Sequence, residues 1–535
     1  MKIKFFANCP PTSSQYPINP AFFYIKHYYD LHGLNPKVEW LTADLFLLDD
    51  FETVLRTVEQ DQPDVVAFSI FLWNETFQNE LAQEIKKRWP EIITVAGGPQ
   101  LVAHKDPDFF NRHPYFDYIV YGDGESAFQQ IIDHKSGYLS NKDQFSNIVE
   151  PGTVYPFKQL TDEAYFSSSP ILHQQEFIVK HITDLEARDV PRSKMIFGIE
   201  FARGCMYNCT FCDWGQNLTK KVKRRRIDWR AEIDFFYNQD LAIRETDANF
   251  GQWDEDIEVF RYALSLYRPG GNFKFAPVNT PKIKKKNTFE ILKANAEVYG
   301  LAMKISLQDI DESVLHKIER PSLSWEDHKR MISDLRDAIS PEFHKNFLAE
   351  LMVGIPGQTY DSLSDTVKTI ITEARIDNFF MNHWLLLPNS PGADPFYQKL
   401  HKLKWIHGYA VNKASQITDI ESLEEAYQKI SVSRGLLKGT KESTFIYATE
   451  NMNFDEMIAI HMIQTSLIEL MNKFGSLDRV KSFSQVYDII KKRSLESAKK
   501  QLVEIQPMVE KYGFVIFGSY VPKQQIISWR WTSDV

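Results

Sequence analysis

Residues 198–217 read GIEFARGCMYNCTFCDWGQN and contain three of the chain's four cysteines, Cys205, Cys209 and Cys212. The fourth, Cys9, lies far away in the sequence. Iron–sulfur clusters are usually held by four cysteine thiolates. Three thiolates in Cys-x3-Cys-x2-Cys spacing, with no fourth nearby, leave one iron of a four-iron cube open. The segment therefore predicts a [4Fe–4S] cluster whose open iron binds a substrate or a cofactor.

Two other interpretations of these cysteines stay open at this point. Cys209 and Cys212 would make half of a zinc site, but tetrahedral zinc needs a second pair of ligands. The histidines His104, His113 and His181 are not spaced as such a pair. The cysteines would also suit a protein that senses iron or redox state and catalyses no reaction.

The cysteine spacing, with Phe211 before the last cysteine and Arg203-Gly204 before the first, resembles the signature of the radical S-adenosylmethionine (SAM) family. In that family SAM chelates the open iron, and an electron from the cluster cleaves it to a 5′-deoxyadenosyl radical. The cofactor carries the difficult chemistry, and the protein binds and orients it. The resemblance implies SAM as a cofactor, Phe211 as a SAM contact and a flavodoxin- or ferredoxin-type electron donor.

Composition limits the class of protein. A chain of 535 residues with 43% hydrophobic content is long enough for about three globular domains. Four cysteines, three of them clustered, form no disulfide framework, which favours a reducing cytoplasmic location. No run approaches the roughly 18 apolar residues of a membrane span. A net charge of −9 argues against nucleic acid as a partner.

Residues 1–140 alternate strand and helix patterns, which predicts a doubly wound parallel sheet. The expected strands cover residues 2–6, 37–42, 64–71, 92–97 and 116–122. Ligands of such sheets bind at the carboxyl ends of the strands, near the point where the strand order reverses. A ligand-binding edge is therefore expected after these strands.

Glycines follow two of these strands, in Gly97-Gly98 and in Gly122-Asp123-Gly124-Glu125. Together with the end of the strand over 64–71, they resemble the cobalamin-binding domain that precedes many radical SAM barrels. The resemblance implies a cobalamin site formed at three strand ends by Ser69, Phe71, Leu72, Gly97, Gly98, Gly122, Gly124 and Glu125.

The motif Asp-x-His-x-x-Gly, which places a histidine below cobalt in other corrinoid proteins, has no match in this domain. The nearest segment, Asp30-Leu31-His32-Gly33, lacks the spacing and is expected to end a helix. No histidine is therefore expected to coordinate a cobalamin here. A sheet domain that binds no corrinoid stays open as an alternative.

Residues 193–400 are expected to form a partial (β/α)6 barrel, whose function lies at the carboxyl ends of its strands. The expected strands cover residues 196–203, 241–248, 273–279, 303–309, 348–354 and 379–387. By position, the resemblance implies further SAM contacts from Glu245, Thr246, Asp247, Ser306, Gln308, Gly354, Ile355 and Pro356. No catalytic base is assigned, and Tyr207, Asp213 and His383 are candidates by location only.

The remaining segments are assigned more coarsely. Residues 141–192 are expected to be a linker, and residues 401–535 a mostly helical domain that shapes the substrate site. Its expected helices cover 421–437, 453–474 and 482–512, followed by short apolar stretches at 514–518 and 526–532. Basic runs occupy residues 220–226 and 282–286. Both fit a solvated face, and the first would also suit docking of an anionic cofactor or an electron donor.

The fold class is therefore α/β: a doubly wound sheet, a partial barrel and a helical C-terminal domain. The resemblance is to the class B branch of the cobalamin-dependent radical SAM family, which contains methyltransferases. It implies methyl transfer, through methylcobalamin, to an unactivated carbon of a small-molecule or peptide substrate. The alternatives are a non-methylating rearrangement or cyclisation by the same cofactors and, outside enzymes, an iron–sulfur sensor.

Overall fold

The structure is a computed structural model that describes residues 1–7, 15–41, 51–214, 218, 221–275, 277, 284–411, 424–428 and 440–517. The chain divides into two compact units. The first contains Met1–Met206 and Asp213–Asn279, and the second contains Tyr207–Cys212 and Thr280–Val535. Cys205 therefore belongs to the first unit, whereas Cys209 and Cys212 belong to the second.

The first unit alternates strands and helices. Its strands are Lys2–Phe6 (β1), Tyr16–Ile18 (β2), Glu39–Trp40 (β3), Val65–Ser69 (β4), Ile93–Gly97 (β5), Tyr118–Val120 (β6), Ile148–Glu150 (β7), Thr153–Val154 (β8), Met195–Ile199 (β9), Ala202–Arg203 (β10), Lys223–Arg224 (β11) and Ala242–Glu245 (β12). Its helices are Ala21–His32 (α1), Phe51–Asp61 (α2), Glu75–Arg88 (α3), Phe109–Arg112 (α4), Gly124–Lys135 (α5), Glu163–Phe166 (α6), Gln175–Glu186 (α7), Trp229–Asn238 (α8) and Asp254–Leu266 (α9).

The large sheet has the strand order β3-β1-β4-β5-β6-β7-β8. Strands β3, β1, β4, β5 and β6 are parallel to one another, which confirms the doubly wound sheet. The order reverses between β1 and β4, where such sheets bind their ligands. All five residues of β4 are buried, as expected for a strand covered on both faces. Strands β7 and β8 add an antiparallel edge within the segment expected to be a linker.

A second sheet of the first unit has the order β12-β9-β2, and both pairs are parallel. Strands β9 and β12 correspond to the expected strands over 196–203 and 241–248. Strand β2 is not predicted by the sequence, because three residues are too few to show a period. The expected strand over 273–279 lies partly outside the described residues, and Phe275 forms a parallel bridge with Ile243.

The described part of the second unit contains six strands, Met303–Gln308 (β13), Phe347–Val353 (β14), Asn378–His383 (β15), Lys404–Val411 (β16), Thr440–Ala448 (β17) and Val515–Phe517 (β18). Its helices are Lys285–Glu297 (α10), Glu312–Lys317 (α11), Trp325–Ala338 (α12), Tyr360–Ala374 (α13), Pro395–Leu400 (α14), Phe454–Phe474 (α15) and Phe483–Tyr512 (α16). Strands β13, β14 and β15 form a parallel sheet, as expected for the last three barrel strands.

The C-terminal region contains the two long helices that the sequence predicts, α15 and α16. It also contains a sheet of order β17-β16-β18, whose strands the sequence analysis does not predict. Only residues 424–428 of the expected helix over 421–437 are described, and they are helical. The apolar stretch at 526–532 lies outside the described residues. Among the residues that the structure describes, no helix is long and apolar enough to cross a bilayer.

Candidate cofactor site

The segment that leads to Cys205 starts at the end of β9. Strand β12 pairs with β9 up to Glu245 and Ile199, so the residues after both strands meet at one edge of the sheet. The backbone N–H and the hydroxyl of Thr246 both donate to the Ile199 carbonyl, at 2.8 and 3.1 Å. The N–H of Phe201 donates to Asp247 Oδ1 at 2.8 Å. These bonds fix the predicted SAM contacts beside the cysteine segment.

Cys205 is buried and has a hydrogen-bond donor from the loop after β12. Asn249 Nδ2 lies 3.2 Å from Cys205 Sγ, and Cys205 is 8% exposed. An N–H group directed at a sulfur stabilises the thiolate form, and such bonds tune the potential of iron–sulfur clusters. Sequence reasoning did not single out Asn249, although it lies two residues after Asp247 in the same loop.

A small cavity of the first unit adjoins this cysteine. Its lining includes Gly204, Met206, Asp247, Asn249 and Gln252. Asp247 is 2% exposed, and its Oδ2 has no hydrogen-bond partner among the described residues. Burial raises the pKa of Asp247 well above its usual value, although the N–H groups of the cysteine segment oppose this. An unused carboxyl oxygen at a cavity fits a ligand that carries an N–H donor, such as the amino group of SAM.

The cysteine segment is tied to the sheet domain through a buried group of charges. The Arg203 guanidinium lies 2.7 Å from Glu125, 2.8 Å from Glu200 and 3.5 Å from Asp123. Burial raises the pKa of Glu125, but the charge and hydrogen bond of Arg203 together with hydrogen bonds from the backbone and Tyr165 outweigh burial, so the pKa is lowered. Burial alone would lower the pKa of Arg203, but Glu125 and Glu200 raise it well above its usual value. Arg203 therefore links the turn after β6 to the segment that carries Cys205.

This ion pair bears on the cobalamin prediction for Glu125. One oxygen of its carboxylate accepts from both Arg203 and the hydroxyl of Tyr165, the latter at 2.8 Å, and Glu125 is 4% exposed. Asp123 in the same turn accepts the N–H of Leu160 through its Oδ2 at 2.8 Å. Glu125 therefore positions the turn of Gly122 and Gly124.

The other predicted cobalamin residues lie at strand ends of the large sheet. Ser69 ends β4, and its hydroxyl accepts from Asn19 at 3.1 Å. The Phe71 ring stacks on Trp73 with centroids 4.6 Å apart and planes 7° apart. Leu72, which lies between Phe71 and Trp73 in the sequence, is half-buried. These residues follow β4, which borders the point where the strand order reverses.

Two of the four predicted glycines are required by the fold. Gly98 has φ +127°, and a Cβ there would overlap the carbonyl oxygen of Ile70. A Cβ on Gly122, at φ +71°, would lie 2.7 Å from the ring of Phe157. Gly97 and Gly124 would place a Cβ at ordinary distances of 3.5 and 3.8 Å from their nearest neighbours. Only these last two are therefore available to test ligand approach without disturbing the backbone.

In the second unit, the loop with Cys209 and Cys212 is bound by backbone hydrogen bonds. Thr210 donates its N–H to the Ile318 carbonyl at 3.0 Å and accepts from the N–H of Gly392 at 2.7 Å. The side chain of Phe211 packs against the hydrophobic core of this unit. The loop is therefore anchored by the two residues between its cysteines, Thr210 and Phe211.

A buried arginine accompanies these two thiols. Burial lowers the pKa of Arg320. Cys209 and, more weakly, Cys212 oppose this lowering, and the Arg320 guanidinium is hydrogen-bonded to Cys209. The guanidinium also donates to the Ser306 carbonyl at the end of β13. Arg320 thus supplies a positive charge beside Cys209, and sequence reasoning did not single it out.

The predicted SAM contacts of the second unit follow β13 and β14. Gln308 is a non-glycine residue at φ +66°, directly after a bulge in β13. Its Oε1 is buried without a hydrogen-bond partner among the described residues. Backbone in this region is strained and is typical of functional sites. The Ser306 hydroxyl donates to Glu350 at 2.5 Å.

The turn after β14 is held by one buried amide. Gln358 accepts the N–H groups of Gly354 and Ile355 at 3.1 and 3.0 Å, and it donates to Asp309 at 2.6 Å. Gly354 has φ +98°. The turn of Gly354, Ile355 and Pro356 is therefore fixed by contacts inside the second unit.

The three base candidates differ in their surroundings. Burial raises the pKa of Asp213 to about 6. Burial lowers the pKa of His383 to about 4. Its Nδ1 lies 3.2 Å from His461 Nε2, and its Nε2 bonds the Ile446 carbonyl, so both ring nitrogens are engaged. Tyr207 is half-buried in the cysteine loop.

The basic run after the cysteine loop is used inside the first unit. Lys223 pairs with Glu163 at 3.1 Å, and Arg224 pairs with Asp256 at 2.7 Å. Arg225 is fully buried and lies over the ring of Tyr165. The three cations therefore stabilise the fold, which removes the main support for docking on this run.

No three His, Cys, Asp or Glu side chains of the described residues converge as ligands of one metal ion. This provides no ligand set for the zinc interpretation. It is compatible with a cubic cluster, in which each cysteine binds a different iron. Asp247 and Gln308, each with a buried unused oxygen, fit a polar ligand near the cysteines of their own unit.

Two family models match the chain, the B12 binding domain at residues 18–132 and the radical SAM superfamily at residues 199–370. The fold and the cysteine loop thus define a protein that joins a B12-binding domain to a radical SAM domain. The chain belongs to the cobalamin-dependent radical SAM family. Its two domains imply cobalamin, a [4Fe–4S] cluster and SAM as cofactors.

Curated relatives include the 2-(S-pantetheinyl)-carbapenam-3-carboxylate methyltransferase of Streptantibioticus cattleyicolor, 28% identical over 66% of this chain and 51% of that protein. The cobalamin-dependent radical SAM methyltransferase TokK of Streptomyces tokunonensis is 27% identical over 62% of this chain and 48% of that protein. The chain spans about half the length of these two relatives.

Among solved structures, the fold is similar to the radical SAM methyltransferase TsrM from Kitasatospora setae with cobalamin and a [4Fe–4S] cluster bound. The TM-score is 0.54 and the identity 13%, over 94% of this chain and 99% of that chain. At this identity the similarity concerns the fold, and it confirms the expected α/β class.

Proposed function

We propose that this protein is a cobalamin-dependent radical SAM methyltransferase that methylates an unactivated carbon of a small-molecule or peptide substrate. The observation that carries the proposal is the joining of B12-binding and radical SAM domains in a chain whose curated relatives at 27–28% identity are methyltransferases. The Arg203 ion pairs support it, because they fix the turn after β6 to the segment of Cys205 within one compact unit.

When bound, the cluster and SAM supply a carbon radical, and cobalamin carries the methyl group. In this proposal Cys205, Cys209 and Cys212 hold the cluster. Asn249 and Arg320 donate hydrogen bonds to two of these sulfurs, Cys205 and Cys209.

The same proposal gives the two buried unused oxygens a role in binding SAM. Asp247 accepts from the amino group, and Gln308 accepts from a hydroxyl or N–H donor of the same ligand. Asp247 and Gln308 orient SAM and exclude water, together with Glu245, Thr246 and the turn of Gly354, Ile355 and Pro356.

The corrinoid lies in this proposal at the strand ends of the large sheet, against Ser69, Phe71, Leu72 and the glycines. Gly97 and Gly124 leave room for the ligand, whereas Gly98 and Gly122 keep the backbone in place. Replacing Gly97 by Val should weaken hydroxocobalamin binding, and the iron content should stay unchanged.

The test is anaerobic reconstitution with iron, sulfide and hydroxocobalamin, followed by desalting and assay of bound iron and cobalt. We expect about four irons and one cobalt per chain. After reduction with dithionite, SAM should be cleaved to 5′-deoxyadenosine, and label from methyl-deuterated SAM should appear in the corrinoid fraction. Both readouts are independent of the unknown substrate.

Cys209→Ala should lose the cluster and all SAM cleavage, and far-UV circular dichroism should remain that of the wild type. The matched control is Cys9→Ala, which removes the cysteine outside the motif. An active Cys209→Ala protein with native iron content would refute the cluster assignment. Formation of 5′-deoxyadenosine without label in the corrinoid would favour a rearrangement or cyclisation, and iron uptake without SAM cleavage would favour a sensor.

A further inference from the structure

One surface of the second unit combines exposed apolar side chains with lysines that form no ion pair among the described residues. Phe396 and Leu400, four residues apart on α14, share a helix face and are 75% and 58% exposed. Trp405 at the start of β16 is 52% exposed. Lys399, Lys402 and Lys404 are interspersed with them and are also exposed. These six residues are called the α14 patch.

The α14 patch is held in shape by its own hydrogen bonds. Asp394 caps the helix, because its carboxylate accepts the N–H groups of Phe396 and Tyr397 at 2.8 and 3.2 Å. The indole N–H of Trp405 donates to Gln398 at 3.2 Å, which fixes the ring beside α14. A surface that is already ordered loses little conformational entropy when a partner binds.

The charge of the α14 patch is opposite to that of the whole chain. The protein carries a net charge of −9. None of the three patch lysines forms an ion pair with any residue that the structure describes. Of the acids nearby, Asp394 is engaged as the helix cap, and Glu450 lies 3.7 Å from Lys317. The patch is therefore locally positive, which attracts an acidic surface and speeds its association.

The inner side of α14 contacts the cysteine loop directly. The Tyr397 hydroxyl lies 3.3 Å from the hydroxyl of Thr210, the residue after Cys209. The N–H of Gly392, in the turn before α14, donates to the Thr210 carbonyl at 2.7 Å. Tyr397 and Thr210 therefore connect the helix that carries the α14 patch to Cys209, a predicted cluster ligand, and all these residues belong to the second unit.

We propose that the α14 patch is the docking surface for an acidic one-electron donor protein of the flavodoxin type. The proposal rests on the proposed function, which requires the cluster to be reduced, and it adds the place where the reductant binds. In the step concerned, one electron leaves the anionic flavodoxin hydroquinone, which becomes the neutral semiquinone and keeps its proton. The same electron reduces the cluster from the 2+ to the 1+ state, and no other co-reactant is needed.

The experiment uses the full chain reconstituted with cluster and cobalamin, mixed with a purified reduced flavodoxin. The test variant is Lys399→Glu/Lys402→Glu/Lys404→Glu. The matched control is Lys492→Glu/Lys499→Glu/Lys500→Glu, which makes the same change of charge at exposed positions of α16. Reduction of the cluster is followed by rapid-freeze electron paramagnetic resonance, and dithionite serves as a reductant that needs no docking.

We expect the test variant to slow reduction by flavodoxin about 10- to 100-fold at low salt. Reduction of the same variant by dithionite should proceed as in the wild type. The control variant should stay close to the wild-type rate. Raising the ionic strength should slow the wild type and leave the test variant nearly unchanged, because salt screens exposed charges. Phe396→Ser should weaken flavodoxin binding without changing this salt dependence.

Equal flavodoxin rates for the wild type and the test variant would overturn the proposal. So would a wild-type dimer that the test variant converts to a monomer, because the α14 patch would then bind a second copy of the chain. The iron content of each variant shows whether the fold is intact, and the salt dependence of the wild type tests the proposal without any variant. Dithionite-driven SAM cleavage separates the two proposals: its absence refutes the proposed function, whatever the flavodoxin rates are.

Discussion

Two groups of cations in this molecule look alike in sequence and differ in structure. Arg203, Arg224 and Arg225 lie in the first unit, largely buried and paired with carboxylates. Lys399, Lys402 and Lys404 lie in the second unit, exposed and without an ion pair among the described residues. The difference is made by acids such as Glu125 and Asp256, which come from other parts of the chain. A charged run therefore reveals its role only when its partners are known.

The largest expected effect follows from removing the central buried cation. Arg203→Met leaves Glu125 and Asp123 buried without their main counter-charge, so we expect a loss of about 3–5 kcal/mol of unfolding free energy. The measurement is denaturant unfolding followed by circular dichroism. The control is Arg226→Met, an exposed cation of the same region, which should stay within about 0.5 kcal/mol of the wild type.

A second substitution distinguishes lost charge pairing from lost packing. Adding Glu125→Gln to Arg203→Met should recover about 1–3 kcal/mol, because the stranded negative charge is removed. If the double variant is as unstable as Arg203→Met alone, the side-chain volume of Arg203 matters and the charge does not.

The next effect depends on pH and tests how far the charge of Arg225 stabilises the negative charge of its buried neighbour Glu232. Burial raises the pKa of Glu232 to about 7, although the hydroxyl of Ser169 and the charge of Arg225 oppose the shift. Between about pH 4.5 and 7 the folded protein therefore keeps a proton on Glu232 that the unfolded chain has lost. The free energy of unfolding decreases as the pH rises through this window. Glu232→Gln, which stays neutral, should exceed the wild type by about 2–3 kcal/mol above pH 7.

This advantage should vanish at low pH. Unfolding free energies measured at about pH 5 and pH 8 provide the comparison, because the wild-type carboxyl is largely protonated at the lower value. An advantage of the same size at both pH values would show that Glu232 does not titrate in this range.

A smaller effect compares the influence of a buried and of an exposed cation on the midpoint potential of the cluster. Two charges about 8 Å apart at an effective dielectric of about 20 interact by about 2 kcal/mol. Arg320→Met should therefore lower the midpoint potential of the reconstituted cluster, on the order of 90 mV for one electron. Lys404→Met should leave the potential unchanged, because solvent screens its charge. A redox titration followed by electron paramagnetic resonance decides, and equal potentials for all three proteins would contradict the contact with Cys209.

The smallest effect is expected at the exposed lysines. Lys399→Met should change the unfolding free energy by no more than about 0.5 kcal/mol, in favour of the variant, because it relieves repulsion from Lys402 and Lys404. Denaturant unfolding at low salt is the measurement. A clear loss of stability would mean that Lys399 has a partner inside the protein, and the contrast between the two groups would fail.

The parts of the molecule predicted from sequence are those with local signals. The cysteine spacing indicates the family, and the apolar run of β4 and the helical periods of α15 and α16 indicate their elements. Three features were not predicted. Strand β2 has only three residues, too few to show a period. Strands β16 and β17 lie in the sequence on either side of residues 421–437, which read as helical, and they pair with each other across that stretch. The ion pair of Glu125 with Arg203 joins residues 78 positions apart, so it is recognised only in the fold.

Glycine positions show the same limit in finer detail. The four glycines predicted to contact cobalamin look equivalent in sequence, as places where a ligand approaches the backbone. The structure separates them, since Gly98 abuts the Ile70 carbonyl and Gly97 does not. The predictions for Asp247 and Gln308 gain support from their buried unused oxygens, which no sequence pattern reveals.

The pairing of β2 with β9 has a consequence for folding during synthesis on the ribosome. Its partner β9 begins at Met195, 177 residues after Ile18. At about 5–20 residues per second, that partner is synthesised roughly 9–35 s later. During this interval the sheet domain can form, whereas the segment of β2 lacks its native neighbour β9. A nascent chain arrested before residue 195 should therefore be cut by protease near residues 16–18, whereas the released protein should be protected there.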